Sequence, residues 1–348
     1  MTDDYSVYML RCIELAKLGS GNVAPNPMVG AVLVHEGRII GEGYHQQYGQ
    51  AHAEVNCINS VLAADKHLIK QSTLFVSLEP CAHFGKTPPC ADLIIKNQIP
   101  NVVVGCRDPF PLVDGRGIER LQAAGVFVTI GPLEKECIDL NKRFFTFHQQ
   151  KRPYIILKWA QSSNGQIANG DRSSIRVSND YSNRLVHRWR SEEAAIVVGT
   201  NTAWYDNPSL NVRHWTGKDP IRLVLDLRLR LPNTLHLFDQ QQKTIVFNAI
   251  KHEEAANLLY YKIESLSIVD ALFETCYKLN IQSILVEGGT ILAQQFIDAG
   301  MWDEARVIEN TELIIQDGYA APILKDHSIL TKEFIASDSI TYYKNNRV

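Results

Sequence analysis

The chain has no run of about 18 apolar residues, which excludes a membrane-spanning helix on length alone. It has no basic excess either: 35 Lys and Arg against 38 Asp and Glu leave a formal net charge of −3, so no overall field draws a polynucleotide and no nucleic-acid partner is expected. The first residues, "MTDDYSVYMLRCIELAKLGSG", put Asp3 and Asp4 where a signal peptide would carry positive charge, and Met9, Cys12, Ile13 and Ala16 follow helical spacing. A folded first helix and a cytoplasmic protein are expected. Cysteine is sparse and odd in number, seven residues at 12, 57, 81, 90, 106, 137 and 276, which excludes the dense framework of a small secreted fold. Internal repeats and low-complexity tracts are absent too.

What is present is an ordinary globular composition, 45% apolar and 21% charged, in a chain of 348 residues. That length exceeds one typical core and fits two domains. Apolar strand-like runs ("MVGAVLVHEGRIIGEGYH", "STLFVSLEP", "NVVVGCRDP", "VFVTIG") alternate with helical ones ("AHAEVNCINSVLAAD", "CADLIIKNQIP", "GIERLQAAG"). This alternation predicts an α/β layer structure with a largely parallel sheet beyond an opening hairpin. At "FHQQKRPYIILKW" a polar stretch and Pro153 precede a new apolar strand, so the domains are expected at 1–148 and 149–348. The second half again mixes strands ("PYIILKWA", "AAIVVGT", "IRLVLDL", "KTIVFNA", "SILVEGG") with helices ("NDYSNRLVHRWRSE", "TILAQQFIDAG").

The stretch "SLEPCAHFGKTPPCADL" holds Cys81 and Cys90 between prolines, and His52 and Glu54 lie upstream in "AHAEVN". One imidazole and two thiolates are three ligands for a tetrahedral Zn2+, leaving a position for water, whereas a closed structural site needs a fourth ligand, for which His83 is the candidate. Glu54 is the natural proton carrier. Zinc deaminases join H-x-E to a following P-C pair with the glutamate outside the coordination shell, although here eight residues, not two, separate the cysteines. A chance His-x-Glu, a disulfide and core cysteines are the competing readings. Read from the residues alone, Asn26, between two prolines in "PNPMVG", could form an Asx-turn. Lys86 and Thr87 suit a phosphate, or are solvated loop residues.

Together "APNPMVGAVLV", "AHAEVN", "LEPCAHFGK" and "TPPC" resemble the deaminase half of the bifunctional riboflavin biosynthesis proteins, a diaminohydroxyphosphoribosylaminopyrimidine deaminase joined to a 5-amino-6-(5-phosphoribosylamino)uracil reductase. The resemblance implies a cytidine-deaminase-like domain, zinc on His52, Cys81 and Cys90, Glu54 as general acid and base, and Asn26 on the pyrimidine.

No Rossmann fingerprint occurs in the second half. "SILVEGGTILAQQF" instead gives a strand, Gly288 and Gly289, and a helix opening at Thr290, a turn suited to a dinucleotide phosphate or simply to packing. With "LKWAQSSNGQIA" and "HRWRSEEAAIVVGTNTAWYDNPSLNVR", this half is similar to the reductase of the same family, which implies a dihydrofolate-reductase-like α/β fold and NADPH. By motif position the resemblance implies Ala160, Thr202, Asp206 and Gly289 at the cofactor, and Ser174, Arg190, Leu210, Arg213 and Glu287 at the substrate, the arginines facing its phosphate. Read from the residues alone, Arg190 could belong to a solvated basic face, and Thr202 and Asp206 to turns or caps. Three positions depart from the family pattern: Asn164 replaces a carboxylate, Arg176 a tryptophan and Asn207 an aspartate. The implied function is zinc-dependent deamination of 2,5-diamino-6-(5-phosphoribosylamino)pyrimidin-4(3H)-one, then NADPH-dependent reduction of its ribosyl group to ribityl, by a homo-oligomer. The alternatives are a nucleoside or nucleic-acid zinc deaminase with a non-catalytic C-terminal domain, or a structural zinc module.

Overall fold

A computed structural model of the chain describes residues 5–84, 88–111, 113–264 and 267–347. The chain divides into two compact units, residues 1–151 and 152–348.

The first unit contains α1 (Tyr5–Lys17), β1 (Gly30–His35), β2 (Arg38–Tyr44), α2 (Ala53–Ser60), β3 (Thr73–Leu78), α3 (Cys90–Lys96), β4 (Asn101–Cys106), α4 (Arg116–Ala123), β5 (Phe127–Ile130), α5 (Glu134–Leu140) and α6 (Lys142–Gln150). Its sheet runs β2-β1-β3-β4-β5. The hairpin β1–β2 and the β1–β3 pair are antiparallel, while β3, β4 and β5 are parallel. Strand period two sends alternate residues to opposite faces. Leu33, Val76 and Val102 meet α2, α3 and α4 through Cys57, Ile94 and Leu121. Val32, Phe75 and Val103 meet α1, α5 and α6 through Met9, Cys137 and Phe144. Both faces are therefore covered, which explains why β3 and β4 read as unbroken apolar runs.

The second unit contains β6 (Tyr154–Ser162), β7 (Gln166–Asn169), α7 (Asp180–Glu192), β8 (Ala195–Gly199), α8 (Thr200–Asp206), β9 (Ile221–Leu225), β10 (Thr244–Asn248), β11 (Glu253–Ala255), β12 (Leu258–Lys262), α9 (Ile268–Lys278), β13 (Ser283–Val286), α10 (Thr290–Ala299), β14 (Glu304–Asn310), β15 (Gly318–Ala320), β16 (His327–Ile335) and β17 (Asp338–Asn345). Ten strands order as β11-β12-β10-β9-β8-β13-β6-β14-β17-β16, and β7 pairs separately with β15. Leu157, Val197 and Leu223 pack on α9 and α10, and Ile156, Ile196 and Val224 pack on α7 and α8. The parallel neighbours β8 and β13 lead into α8 and α10 on opposite faces of the sheet. Such a switch point opens a crevice beyond the carboxyl ends of the strands, where α/β folds bind ligands. Inside this unit Asp303 accepts from both Arg152 guanidinium nitrogens at 2.7 Å and from the Ile155 amide at 2.7 Å.

Candidate active sites

In the first unit the chemistry collects at helix starts. His52 is the N-cap of α2, Glu54 lies in that helix's first turn, Cys81 follows β3, and Cys90 begins α3. His52 Nδ1 is 3.6 Å from Cys81 Sγ and 3.3 Å from Cys90 Sγ, and the three donor atoms lie within 4.8 Å of one another. Tetrahedral zinc bonded at about 2.0–2.3 Å needs its ligand atoms about 3.5 Å apart, so this donor set fits the ion. Among the described residues no fourth protein donor joins the group, and His83, whose buried Nδ1 has no partner there, stands outside it. The Cys90 main-chain amide donates to Cys81 Sγ at 3.4 Å. Hydrogen bonding from the Cys90 thiol and from His52 holds Cys81 down to about 4 despite burial, and the shared bond raises Cys90.

Glu54 is 3% exposed, and its pKa is raised by burial and then by the charge on Cys81. A carboxyl raised this way holds a proton more readily than an ordinary carboxylate, the direction a general acid and base needs. Asn26 Nδ2 lies 3.1 Å from His45 Nε2, whose Nδ1 lies 3.0 Å from the Ala51 carbonyl. With Nδ1 donating to that carbonyl, Nε2 accepts from the Asn26 amide and leaves the Asn26 carbonyl oxygen for a donor on a ligand. The Asx-turn reading of Asn26 is thus replaced by a side chain oriented by His45, whose ring also stands edge-on to His52 at 5.3 Å. Neither His45 nor Glu79 was singled out by sequence reasoning. Glu79, 4% exposed, accepts from the main-chain amides of Asp108, Gly115, Gly117 and Ile118 at 2.9–3.2 Å and so fixes the start of α4 two residues from Cys81. Lys86 and Thr87 lie outside the described residues.

In the second unit Arg190 is on α7 and is mostly buried rather than part of a solvated face. Its Nε and Nη2 each donate to Glu287 at 2.8 Å, and its Nη1 donates to the Asn211 carbonyl at 3.2 Å. Lys158, on β6, places Nζ 3.7 Å from Glu287. Burial raises Glu287, yet Arg190 and then Lys158 outweigh it and hold the carboxylate down to about 2. Lys158 itself is lowered by burial. A lysine inside the apolar run "YIILKWA" was the available signal for it. Leu210, buried at φ +52°, and Arg213, exposed, share the irregular segment after α8. Ser174 lies exposed on a separate segment and makes no hydrogen bond with these groups among the described residues.

Gly289 is the N-cap of α10, and its amide donates to Thr202 Oγ1 on α8 at 3.0 Å, which ties the starts of the two helices across the β8–β13 crevice. A side chain at Gly289 would meet only Thr202 Oγ1, at 3.5 Å, so the space above the helix start is open, as a dinucleotide phosphate requires. Asp206 ends α8 with its pKa raised by burial, and Ala160 is half-buried near the end of β6. The departures have local roles. Asn164 accepts from Ser162 and donates to the Ile315 carbonyl at 2.8 Å, a bond no carboxylate can donate. Asn207 caps α8 in the left-handed region, and Arg176 pairs with exposed Asp180.

Residues 2–106 match the cytidine and deoxycytidylate deaminase zinc-binding region, and residues 153–311 match the RibD C-terminal domain. The riboflavin biosynthesis protein RibD of Aquifex aeolicus is 40% identical over 85% of this chain and 84% of its own length, and that of Escherichia coli 35% identical over 91% and 90%. A crystal structure of the diaminohydroxyphosphoribosylaminopyrimidine deaminase/5-amino-6-(5-phosphoribosylamino)uracil reductase of Thermotoga maritima superposes with TM-score 0.87 at 35% identity over 98% of this chain and 99% of that one. A structure of Acinetobacter baumannii RibD gives 0.89 at 31% identity over 98% of each.

Proposed function

The chain belongs to the RibD family, whose members are bifunctional deaminase and reductase enzymes of riboflavin biosynthesis working with Zn2+ and NADPH, and from that premise we propose how its two units divide the chemistry. The first unit deaminates 2,5-diamino-6-(5-phosphoribosylamino)pyrimidin-4(3H)-one, and the second reduces the ribosyl group of the product to ribityl. His52, Cys81 and Cys90 would hold the zinc, which would supply the Lewis acidity that activates water for hydrolysis. Asn26, set by His45, holds the pyrimidine edge. Glu54 takes a proton from the attacking side and returns it to the departing amine, so that water enters, a C–N bond breaks and ammonia leaves. The observation that carries this reading is a buried Glu54, its pKa raised, beside three convergent donors.

NADPH, when bound in the second unit, would supply the hydride that reduces C1′ of the ring-opened imine. Thr202, Asp206, Gly289 and Ala160 line the cofactor side, and Gly289 leaves its phosphate room to approach the start of α10. Arg190 and Arg213 attract the substrate phosphate, with Leu210 and Ser174 beside them, and Glu287 fixes the Arg190 guanidinium. Lys158, its ammonium destabilised by burial, is the proton source that leaves the product nitrogen neutral after reduction. Positioning rather than a protein nucleophile does the work.

Among the described residues no helix is long and apolar enough to cross a membrane. A cytoplasmic protein with a small phosphorylated pyrimidine as ligand, and no polynucleotide, is consistent with this and with the charge balance. A homo-oligomer is favoured by β16, an edge strand exposed along almost its whole length with Ile329, Leu330 and Phe334 outward. The test is Glu54→Gln: ammonia release should vanish while one zinc per chain remains. Retained ammonia release would refute the assignment of Glu54.

A further inference from the structure

Residues 209–214 carry Leu210 and Arg213 yet form neither helix nor strand. Side chains hold their main chain instead. Arg222 Nε donates to the Ser209 carbonyl at 2.9 Å, Arg190 Nη1 to the Asn211 carbonyl at 3.2 Å, and Asp219 accepts from the Val212 amide at 2.7 Å. At Arg213 the partner is His187, whose Nδ1 accepts from the Arg213 amide at 3.3 Å. His187 lies three residues before Arg190 on α7, is fully buried, and meets the His214 ring edge-on at 4.8 Å. An accepting Nδ1 requires a neutral ring with its proton on Nε2, and that Nε2 has no partner among the described residues. Burial, and then the charges of Arg190 and Arg213, hold the ring down to about 4, so it is neutral near pH 7 and able to accept at Nδ1.

We propose that His187 is a positioning residue of the reductase: by accepting the Arg213 amide it sets where the exposed Arg213 guanidinium meets the anionic end of the substrate. The geometry couples the two arginines through one residue. Arg190 bonds the Asn211 carbonyl and Arg213 bonds Asn211 Oδ1 at 3.1 Å, so with His187 in place both charges are referred to the same helix, α7. Without an acceptor at position 187 the Arg213 amide is left unpartnered, and the segment can shift while the other bonds to Ser209, Asn211 and Val212 survive. The proposal rests on the reading of Arg190 and Arg213 as the phosphate-binding pair.

The test compares H187L with H187N in the full zinc-loaded chain, using 5-amino-6-(5-phosphoribosylamino)uracil and NADPH. Asn keeps an acceptor near the Nδ1 position and Leu does not. For H187L the KM of reduction should rise about 10-fold with kcat within about 2-fold, while H187N should stay within about 2-fold of wild type on both. NADPH binding, followed by fluorescence, should be unchanged, as should ammonia release from the first unit. Should H187L fail to bind NADPH, H187Q replaces it, because it offers a polar group toward the Nε2 place without an acceptor at Nδ1, and the same rise in KM is expected. An unchanged KM in the variant lacking the acceptor, or equal impairment in H187N, would overturn the role of His187. R213A separates this from the underlying reading: a wild-type KM there would remove Arg213 from the substrate site altogether.

Discussion

Replacing Glu79 by Gln exchanges one carboxylate oxygen for an NH2 group where only donors wait. The Glu79 oxygens each accept two main-chain amides, Asp108 and Gly115 on one, Gly117 and Ile118 on the other. A glutamine side chain keeps one pair and turns two N–H donors against its own, so two buried charge-assisted bonds are lost. At about 1.5–2 kcal/mol each, the loss is about 3–4 kcal/mol, and for a unit near 150 residues this lowers Tm by about 6–15 °C. Calorimetry should therefore resolve an early transition for the first unit, with the second unit's transition in place. Because Gly117 lies so close that a Cβ there would stand 1.9 Å from the Pro80 carbonyl, release of the start of α4 also frees the turn bearing Cys81. Zinc affinity, measured against a chelator, should fall with the stability. A Tm shift below about 2 °C would refute the claim that these four bonds hold the turn.

Three further outcomes follow from the geometry. Zinc removal with a chelator at neutral pH should stop ammonia release while leaving NADPH oxidation on the already deaminated substrate, and zinc should restore it; assays on both substrates separate the steps. Glu287 is depressed from 4.5 to about 2, so the stability it contributes is fully present above about pH 4.5 and is lost as pH falls toward 2. In R190A that loss should flatten, since Lys158 alone remains, and kcat/KM for reduction should fall about 100-fold, read from Tm against pH and from steady-state kinetics. G289A should fold, with Tm within about 2 °C, because its Cβ meets only Thr202 Oγ1 at 3.5 Å, but should weaken NADPH binding about 10-fold by filling the space above α10, as fluorescence titration would report.

The sheet and helices of the first unit were legible because covered parallel strands and amphipathic helices leave distinct periods, and the opening hairpin stood out as β1–β2. The helix read through "AHAEVNCINSVLAAD" instead ends at Ser60 and gives way to a 3-10 turn over Ala63–Gln71. The C-terminal hairpin β16–β17 carried no legible signal, since β16 is exposed on both faces and so lacks alternation. Of the site residues, those set in short motifs of distinctive spacing were readable. Lys158, Glu79, His45 and His187 were not: Lys158 is a charge inside an apolar strand, Glu79 and His45 follow the ends of β3 and β2, and His187 is one polar residue among many on α7. Each gains its meaning from partners as many as 129 residues away. Glu287, the partner of Lys158, is 129 positions further along the chain.

The measurement closest to the central claim is NADPH oxidation by the zinc-loaded chain on the diaminopyrimidinone ribotide and on its deaminated product, with wild type and Glu54→Gln side by side. Two units acting in sequence predict oxidation by wild type on both compounds and by the variant on the deaminated one alone. Oxidation of NADPH by the variant on the undeaminated ribotide, or none by wild type on the deaminated product, would contradict the account.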